Sequence, residues 1–152
     1  MNRFLAGCGI VALVVVGAIA SLAVFAWLQF KEAEPQARKA ARDAIVATVT
    51  TWNEDALLAR STDELRSPAK RPEVDKIFAI YRRLGTFKSL GEPTSNIKFK
   101  SFAGNEFRGS TAEYSFPATF SAGSATIRVR MRKLAAGWRI FNFRIDSDAL
   151  VR

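Results

Sequence analysis

The chain has 152 residues, with 23 basic against 14 acidic and a formal charge of +9. It carries one cysteine, Cys8, and no histidine. A disulfide framework and a thiolate metal site are thereby excluded, and the usual general base and commonest metal ligand are missing. The length suits one domain plus an appendage.

Residues 4–28 form a run of 25 without a charge. About 20 apolar residues cross a bilayer core, so the run is long enough to span one. Trp27 would sit near an interface. Three readings compete. A retained signal anchor suits a run that stays mostly apolar to Phe30. A cleaved signal peptide would use Ala18-Ile19-Ala20 as a small-x-small site, but the following stretch from Ser21 remains mostly apolar. A lipoprotein signal matches Leu5-Ala6-Gly7-Cys8 in letters, yet this motif precedes the apolar run instead of following it. The anchor is the expected reading. Gly17 and Ser21 stand at small-xxx-small spacing, which lets helices pack closely, although small residues are also ordinary on a lipid-facing helix.

Arg3 alone flanks one side of the run; Lys31, Arg38, Lys39 and Arg42 flank the other. Read literally, the positive-inside rule keeps the following domain in the cytoplasm. The very short N-terminal tail matches the layout of exported anchored domains, and export is the expected side. The domain plan is an anchor over 1–30, a juxtamembrane linker over 31–34 and one α+β domain over 35–152. Residues 31–152 hold 22 basic and 14 acidic residues, so the domain itself is basic.

Pro35 is expected to interrupt the anchor helix and open the next. Ala41, Ile45, Val49 and Trp52 then fall at helical spacing. Asn53, followed by Glu54 and Asp55, starts a short helix carrying Leu57 and Leu58. Ser61-Thr62-Asp63-Glu64 has capping-box spacing. Residues 68–72 read as a basic loop. Val74, Ile77, Phe78, Tyr81 and Leu84 form a helix stripe closed by Gly85. Residues 86–90 look extended, and Gly91-Glu92-Pro93 turns the chain. Ile97 and Phe99 begin a strand that turns at residues 103–106.

Residues 112–145 read as two consecutive β-hairpins. Ala125, Ile127, Val129 and Met131 alternate with Thr126, Arg128, Arg130 and Arg132, the pattern of a strand with one buried face. A three-residue turn at Ala135-Ala136-Gly137 would place Leu134 opposite Trp138, Met131 opposite Phe141, Val129 opposite Phe143 and Ile127 opposite Ile145. A turn at Ser121-Ala122-Gly123-Ser124 would place Phe120 opposite Ala125, Phe116 opposite Val129 and Tyr114 opposite Met131. The opposite face carries Arg128, Arg130, Arg132 and Arg144, with Glu113 opposite Arg132. Pro117 cannot donate to a ladder, so pairing on one side of its strand should be interrupted there.

The order of a long helix ending in Trp52, a Leu57-Leu58 segment, a helix leading into Leu84-Gly85-Thr86-Phe87-Lys88-Ser89, and strands with Gly137-Trp138-Arg139-Ile140 resembles the nuclear-transport-factor-two-like, or cystatin-like, α+β cone. The likeness covers roughly residues 35–148 and is greatest to small bacterial membrane-anchored versions. It implies two to three helices packed on a curved antiparallel sheet of about four strands, sometimes with a pocket between them. It also implies a single-pass chain in a bacterial plasma membrane. Enzymes of this fold resemble ketosteroid isomerases, which need an inward-facing carboxylate. The inward strand positions here are apolar except Tyr114, and Asp146 and Asp148 fall outward.

Two sets of side chains are candidates for function. Arg128, Arg130, Arg132 and Arg144 suit anionic lipid, or an acidic membrane-protein partner, or simply a solvated sheet face. Trp52, Phe78, Tyr81 and Tyr114 are candidates to line an interior pocket for a small hydrophobic ligand, or to be plain core aromatics. The expected function is a non-enzymatic binding or accessory domain; a carrier is the alternative and an isomerase-like enzyme the second. No catalytic residue, metal site or cofactor is expected. Neither is nucleic acid, because no recognition motif accompanies the charge.

Overall fold

The computed structural model describes residues 3–98 and 110–151, with side chains described at 17–25, 34–95 and 110–151. The chain divides into two compact units, Met1–Pro35 and Gln36–Arg152. Helix α1 runs Arg3–Val49 and keeps Pro35 inside it. The expected break at Pro35 is therefore absent, and residues 31–34 are helical. Proline removes one intrahelical hydrogen bond, and here the helix tolerates that loss.

In the first unit, residues 17–25 are exposed on every side, including Ile19, Leu22, Val24 and Phe25. The Ser21 hydroxyl donates to the Gly17 carbonyl at 2.8 Å, satisfied within its own helix. Among the described residues no helix is long and apolar enough to cross a membrane. Side chains of the uncharged run are described only at residues 17–25, a stretch by itself too short to do so.

The second unit is α+β. Ala37, Ala41, Ala44, Ile45, Thr48 and Val49 of α1 are buried, at the spacing of one helix face. Helix α2, Glu54–Leu58, is capped by Asn53, whose side chain accepts from the Asp55 and Ala56 amides, and it buries Leu57 and Leu58. Helix α3, Asp63–Arg66, has no side-chain cap. The expected capping box does not form; Ser61 is buried and donates instead to the Leu57 carbonyl at 2.7 Å. Helix α4, Arg71–Tyr81, buries Val74, Phe78 and Tyr81, and a 3₁₀ turn over Arg82–Leu84 buries Leu84. Ile77 departs from the expected stripe and is exposed.

The sheet has five antiparallel strands. They are β1 Phe87–Leu90, β2 Thr94–Lys98, β3 Thr111–Phe120, β4 Gly123–Leu134 and β5 Gly137–Asp146. Both β1 and β2 pair with β3, then β4 and β5 follow. β2 takes residues 111–115 of β3 and β1 takes 118–120, so the change of partner falls at Phe116-Pro117. This is the interruption expected from a proline without an N–H. Phe99 and the turn at 103–106 lie outside the described residues.

Both hairpin registers differ from expectation. The first turn is only Ser121-Ala122, so Phe120 pairs with Gly123, Phe116 with Ile127 and Tyr114 with Val129. The shift is two residues, and every side chain keeps its face because strand periodicity is two. In the second hairpin Ile127 meets Ile145 and Val129 meets Phe143 as expected. A bulge then intervenes, Met131 pairs with Ile140, and Trp138 stands opposite Lys133 rather than Leu134. Gly137, at φ 105°, opens β5 after a turn of Ala135-Ala136.

The core lies between this sheet and the helices. Tyr114, Phe116, Phe120, Ile127, Val129, Met131 and Ile140 meet Ile45, Val49, Phe78 and Leu84. β5 is covered on its outer edge at Ile140. Its amide donates to the Arg60 carbonyl at 3.0 Å, and its carbonyl accepts from the Thr62 amide at 2.8 Å. The segment 60–62 thus straps an edge that would otherwise offer free backbone groups.

Candidate functional site

The outer sheet face is a ladder of ion pairs. The register sets Glu113 opposite Arg130, not Arg132, and their side chains meet at 3.2 Å. Arg132 reaches Glu64 of α3 at 3.2 Å, and its guanidinium lies 4.6 Å from the ring centre of Phe141. Phe141 is the residue expelled by the bulge; it stacks outside under an arginine instead of entering the core. Arg144 binds Asp146 at 2.6 Å, and Arg128 approaches the second oxygen of the same carboxylate at 3.5 Å. All four candidate arginines therefore have carboxylate neighbours. Exposed pairs of this kind contribute about 0–1 kcal/mol each, but they cancel much of the face's positive field.

The four candidate pocket residues are not gathered around a space. Tyr114 is fully buried against Phe116, centroids 6.1 Å apart. Phe78 and Tyr81 are 6.1 Å apart, and each is 6.4 Å from Phe143. Trp52 stacks on Phe120 at 5.4 Å. The aromatic rings fill the interior with one another. The Tyr81 hydroxyl accepts from the Ile145 amide at 3.1 Å. Burial pushes the Tyr81 phenol above its ordinary value, against a smaller opposing effect of that hydrogen bond.

Around Trp52 the chain is tightly tied. Its indole N–H donates to the Gly85 carbonyl at 2.8 Å. The Ser121 hydroxyl accepts from the Thr86 amide at 2.9 Å, and the Ser121 amide donates to the Thr86 carbonyl at 2.9 Å. A Cβ at Gly85 would fall 2.1 Å from the Ser121 hydroxyl oxygen. The stretch Leu84-Gly85-Thr86-Phe87 is thereby explained as a clamp on the first hairpin turn.

An open groove of about 510 Å3 crosses the outer face at the end away from the Ala135-Ala136 turn. Ser89, Pro117, Thr119, Ser124, Thr126 and Asp146 line it. Its hydroxyl-rich floor was not legible as a site, because small polar residues on an outer strand face carry no distinguishing pattern. Among the described residues the buried polar side chains are Thr48, Ser61 and Thr62, with no carboxylate among them. No group of three histidine, cysteine, aspartate or glutamate side chains is placed to hold a metal, again among the described residues.

A second surface was missed in the sequence. At the β4–β5 turn, Leu134, Ala135 and Ala136 are exposed. Lys133 sits 5.7 Å from the ring centre of half-buried Trp138. Arg139 donates to the Ala59 carbonyl at 3.0 Å, and Arg60 to the Ala56 carbonyl at 2.8 Å. None of these cations stood out in the sequence, because the strap that brings Arg60 beside β5 pairs residues about 80 positions apart.

No family model, curated protein or solved structure matches the chain.

Proposed function

We propose that this chain is a single-span, membrane-anchored accessory domain that engages a membrane-protein partner or an anionic membrane surface through its exterior. The observation that carries this reading is the uncharged run over residues 4–28, long enough to span a bilayer core. Its described residues support the reading: Ile19, Leu22, Val24 and Phe25 are 56–68% exposed, apolar surface that a lipid environment would cover. We place the domain on the exported side of a bacterial plasma membrane. The resemblance to the nuclear-transport-factor-two-like cone belongs to the same proposal, supported by helices packed on one face of an antiparallel sheet. The exterior is favoured over the interior as the working surface because aromatic rings occupy the interior.

The test is alkaline carbonate washing of membranes from cells expressing the full-length chain. The chain should stay in the membrane pellet with residues 1–20 intact by mass, and a variant lacking residues 4–28 should be released. Release of the full-length chain, or a mass showing cleavage after Ala20, ends the anchor reading. Protease added to spheroplasts should degrade the domain; full protection would put it in the cytoplasm.

A further inference from the structure

We infer that the β4–β5 turn is a membrane-docking tip that recognises an anionic lipid surface. The inference deepens the proposed function and rests on it, but it moves the contact away from the arginine ladder. Three observations carry it.

The first is apolar exposure at the turn. Leu134, Ala135 and Ala136 are exposed, Leu134 at 37%. Trp138 lies beside them, half-buried with its indole nitrogen turned out of solvent, and adds apolar ring surface to the turn. The second is local charge. Arg60, Arg66, Arg132, Lys133 and Arg139 cluster around the turn and the strap, against Asp63 and Glu64. Asp63 is taken by Arg66 and Glu64 by Arg132, while Lys133 lies against the Trp138 ring and Arg139 and Arg60 donate to backbone carbonyls. The third is contrast along the same strand. β4 spans 12 residues, about 40 Å, between this turn and the one at Ser121-Ala122. Along the strand between them, Arg128 and Arg130 are matched by Asp146 and Glu113. An apolar tip flanked by Lys133, Arg139 and Arg60, none of them paired with a carboxylate among the described residues, is complementary to a bilayer whose headgroups are negative.

Chemically the tip has two parts. Leu134 and the alanines enter the headgroup region, where they are removed from water. Lys133 and Arg139 meet lipid phosphates, to which a guanidinium donates in a forked geometry. Each cation near such a surface strengthens attachment roughly fivefold, so removing two weakens docking by about thirtyfold.

The experiment uses the full-length chain reconstituted into liposomes. In a Cys8→Ser background, a single cysteine is placed by Ala135→Cys and, separately, by Ala122→Cys, and labelled with an environment-sensitive fluorophore. With liposomes containing phosphatidylglycerol, the label at 135 should shift to the blue and the label at 122 should not. With phosphatidylcholine alone, neither should shift. Lys133→Gln with Arg139→Gln should abolish the shift at 135. Arg128→Gln with Arg130→Gln, the same loss of charge, should leave it. A circular dichroism melt of each variant confirms folding, and Lys133→Gln alone, which disturbs no backbone hydrogen bond, should give an intermediate loss.

No shift at 135 in anionic liposomes overturns the inference, as do equal shifts at 135 and 122 or an equal shift in neutral liposomes. A shift that needs an added membrane protein also overturns it, in favour of a protein partner. Flotation of the chain with neutral liposomes after a carbonate wash reports the anchor independently. Flotation without a shift sinks the tip and spares the anchor. Failure to float sinks the anchor, and adding anionic vesicles to the same labelled chain still decides the tip.

Discussion

Trp52 holds φ at 51°, the one positive value outside glycine among the described residues. It follows the C-terminus of α1, and the Asn53 amide donates back to the Thr48 carbonyl at 3.0 Å. This is the hydrogen bond of a Schellman cap, whose left-handed position ordinarily belongs to glycine. A side chain there costs about 1–2 kcal/mol, and truncating a well-packed aromatic costs about 3–5 kcal/mol. The ring therefore outweighs the strain: stacking on Phe120 and bonding to the Gly85 carbonyl, it fixes the end of α1 on the sheet. Trp52→Gly should lower stability by roughly 1–3 kcal/mol even though it relieves the backbone. Trp52→Phe should lose only about 1 kcal/mol, the share of one hydrogen bond. Urea titration of the full-length chain in detergent measures both; a Trp52→Gly variant as stable as the parent would contradict the argument.

Tyr81 has a similar double role at the same scale. Tyr81→Phe keeps the ring beside Phe143 but strands the buried Ile145 amide, costing about 1–3 kcal/mol. The pH dependence follows from the raised phenol. Its neutral form is favoured in the folded chain, so this contribution is complete below the unfolded tyrosine value of about 10 and is lost as pH rises beyond it. The parent should lose stability above that pH more steeply than Tyr81→Phe. Parallel slopes for the two would show that the hydroxyl is not buried in solution.

At the scale of elements, what survives from sequence to structure is whatever has a period. The inward set on β3 and β4 was legible because alternate positions remain alternate under the two-residue shift of the first hairpin. The turn itself was not, since Ser121-Ala122-Gly123-Ser124 reads equally as a longer loop. The bulge at Phe141 was illegible for a different reason. A phenylalanine in register with Phe143 satisfies the pattern inside, and only its place under Arg132 shows it outside. Pro117 was legible because its missing N–H has a single structural consequence. That consequence also constrains Gly91, whose amide donates to the Pro117 carbonyl at 2.7 Å, while a Cβ on Gly91 would fall 2.8 Å from the proline ring. Gly91→Ala should cost about 1–3 kcal/mol through overpacking. Pro117→Ala should recover much of that loss, a coupling that a double-mutant cycle reads directly. Additive effects would mean that the β1–β2 corner adjusts without involving Pro117.

For the molecule as a whole, the least legible feature is long-range. Glu64 pairs with Arg132 across 68 positions, and the 60–62 strap finds Ile140 across a similar span. Nothing local in either segment announces its partner; the strap reads as a capping box. Yet it decides where the cations gather and how the sheet ends. Its anchorage is deep: Ser61 and Thr62 are buried, and Leu57 and Leu58 join the core just before them. A segment held that way opens only when the core opens. In hydrogen exchange the Thr62 and Ile140 amides should therefore persist as long as those of Ile127 and Val129 in central β4. The Lys133 amide, bonded to Ser110 at the exposed turn, should exchange sooner. Rapid exchange at Thr62 with β4 still protected would mean that the strap peels from β5 by itself. The sheet would then present a free edge beside the docking tip, and the cations drawn together by the strap would separate with it.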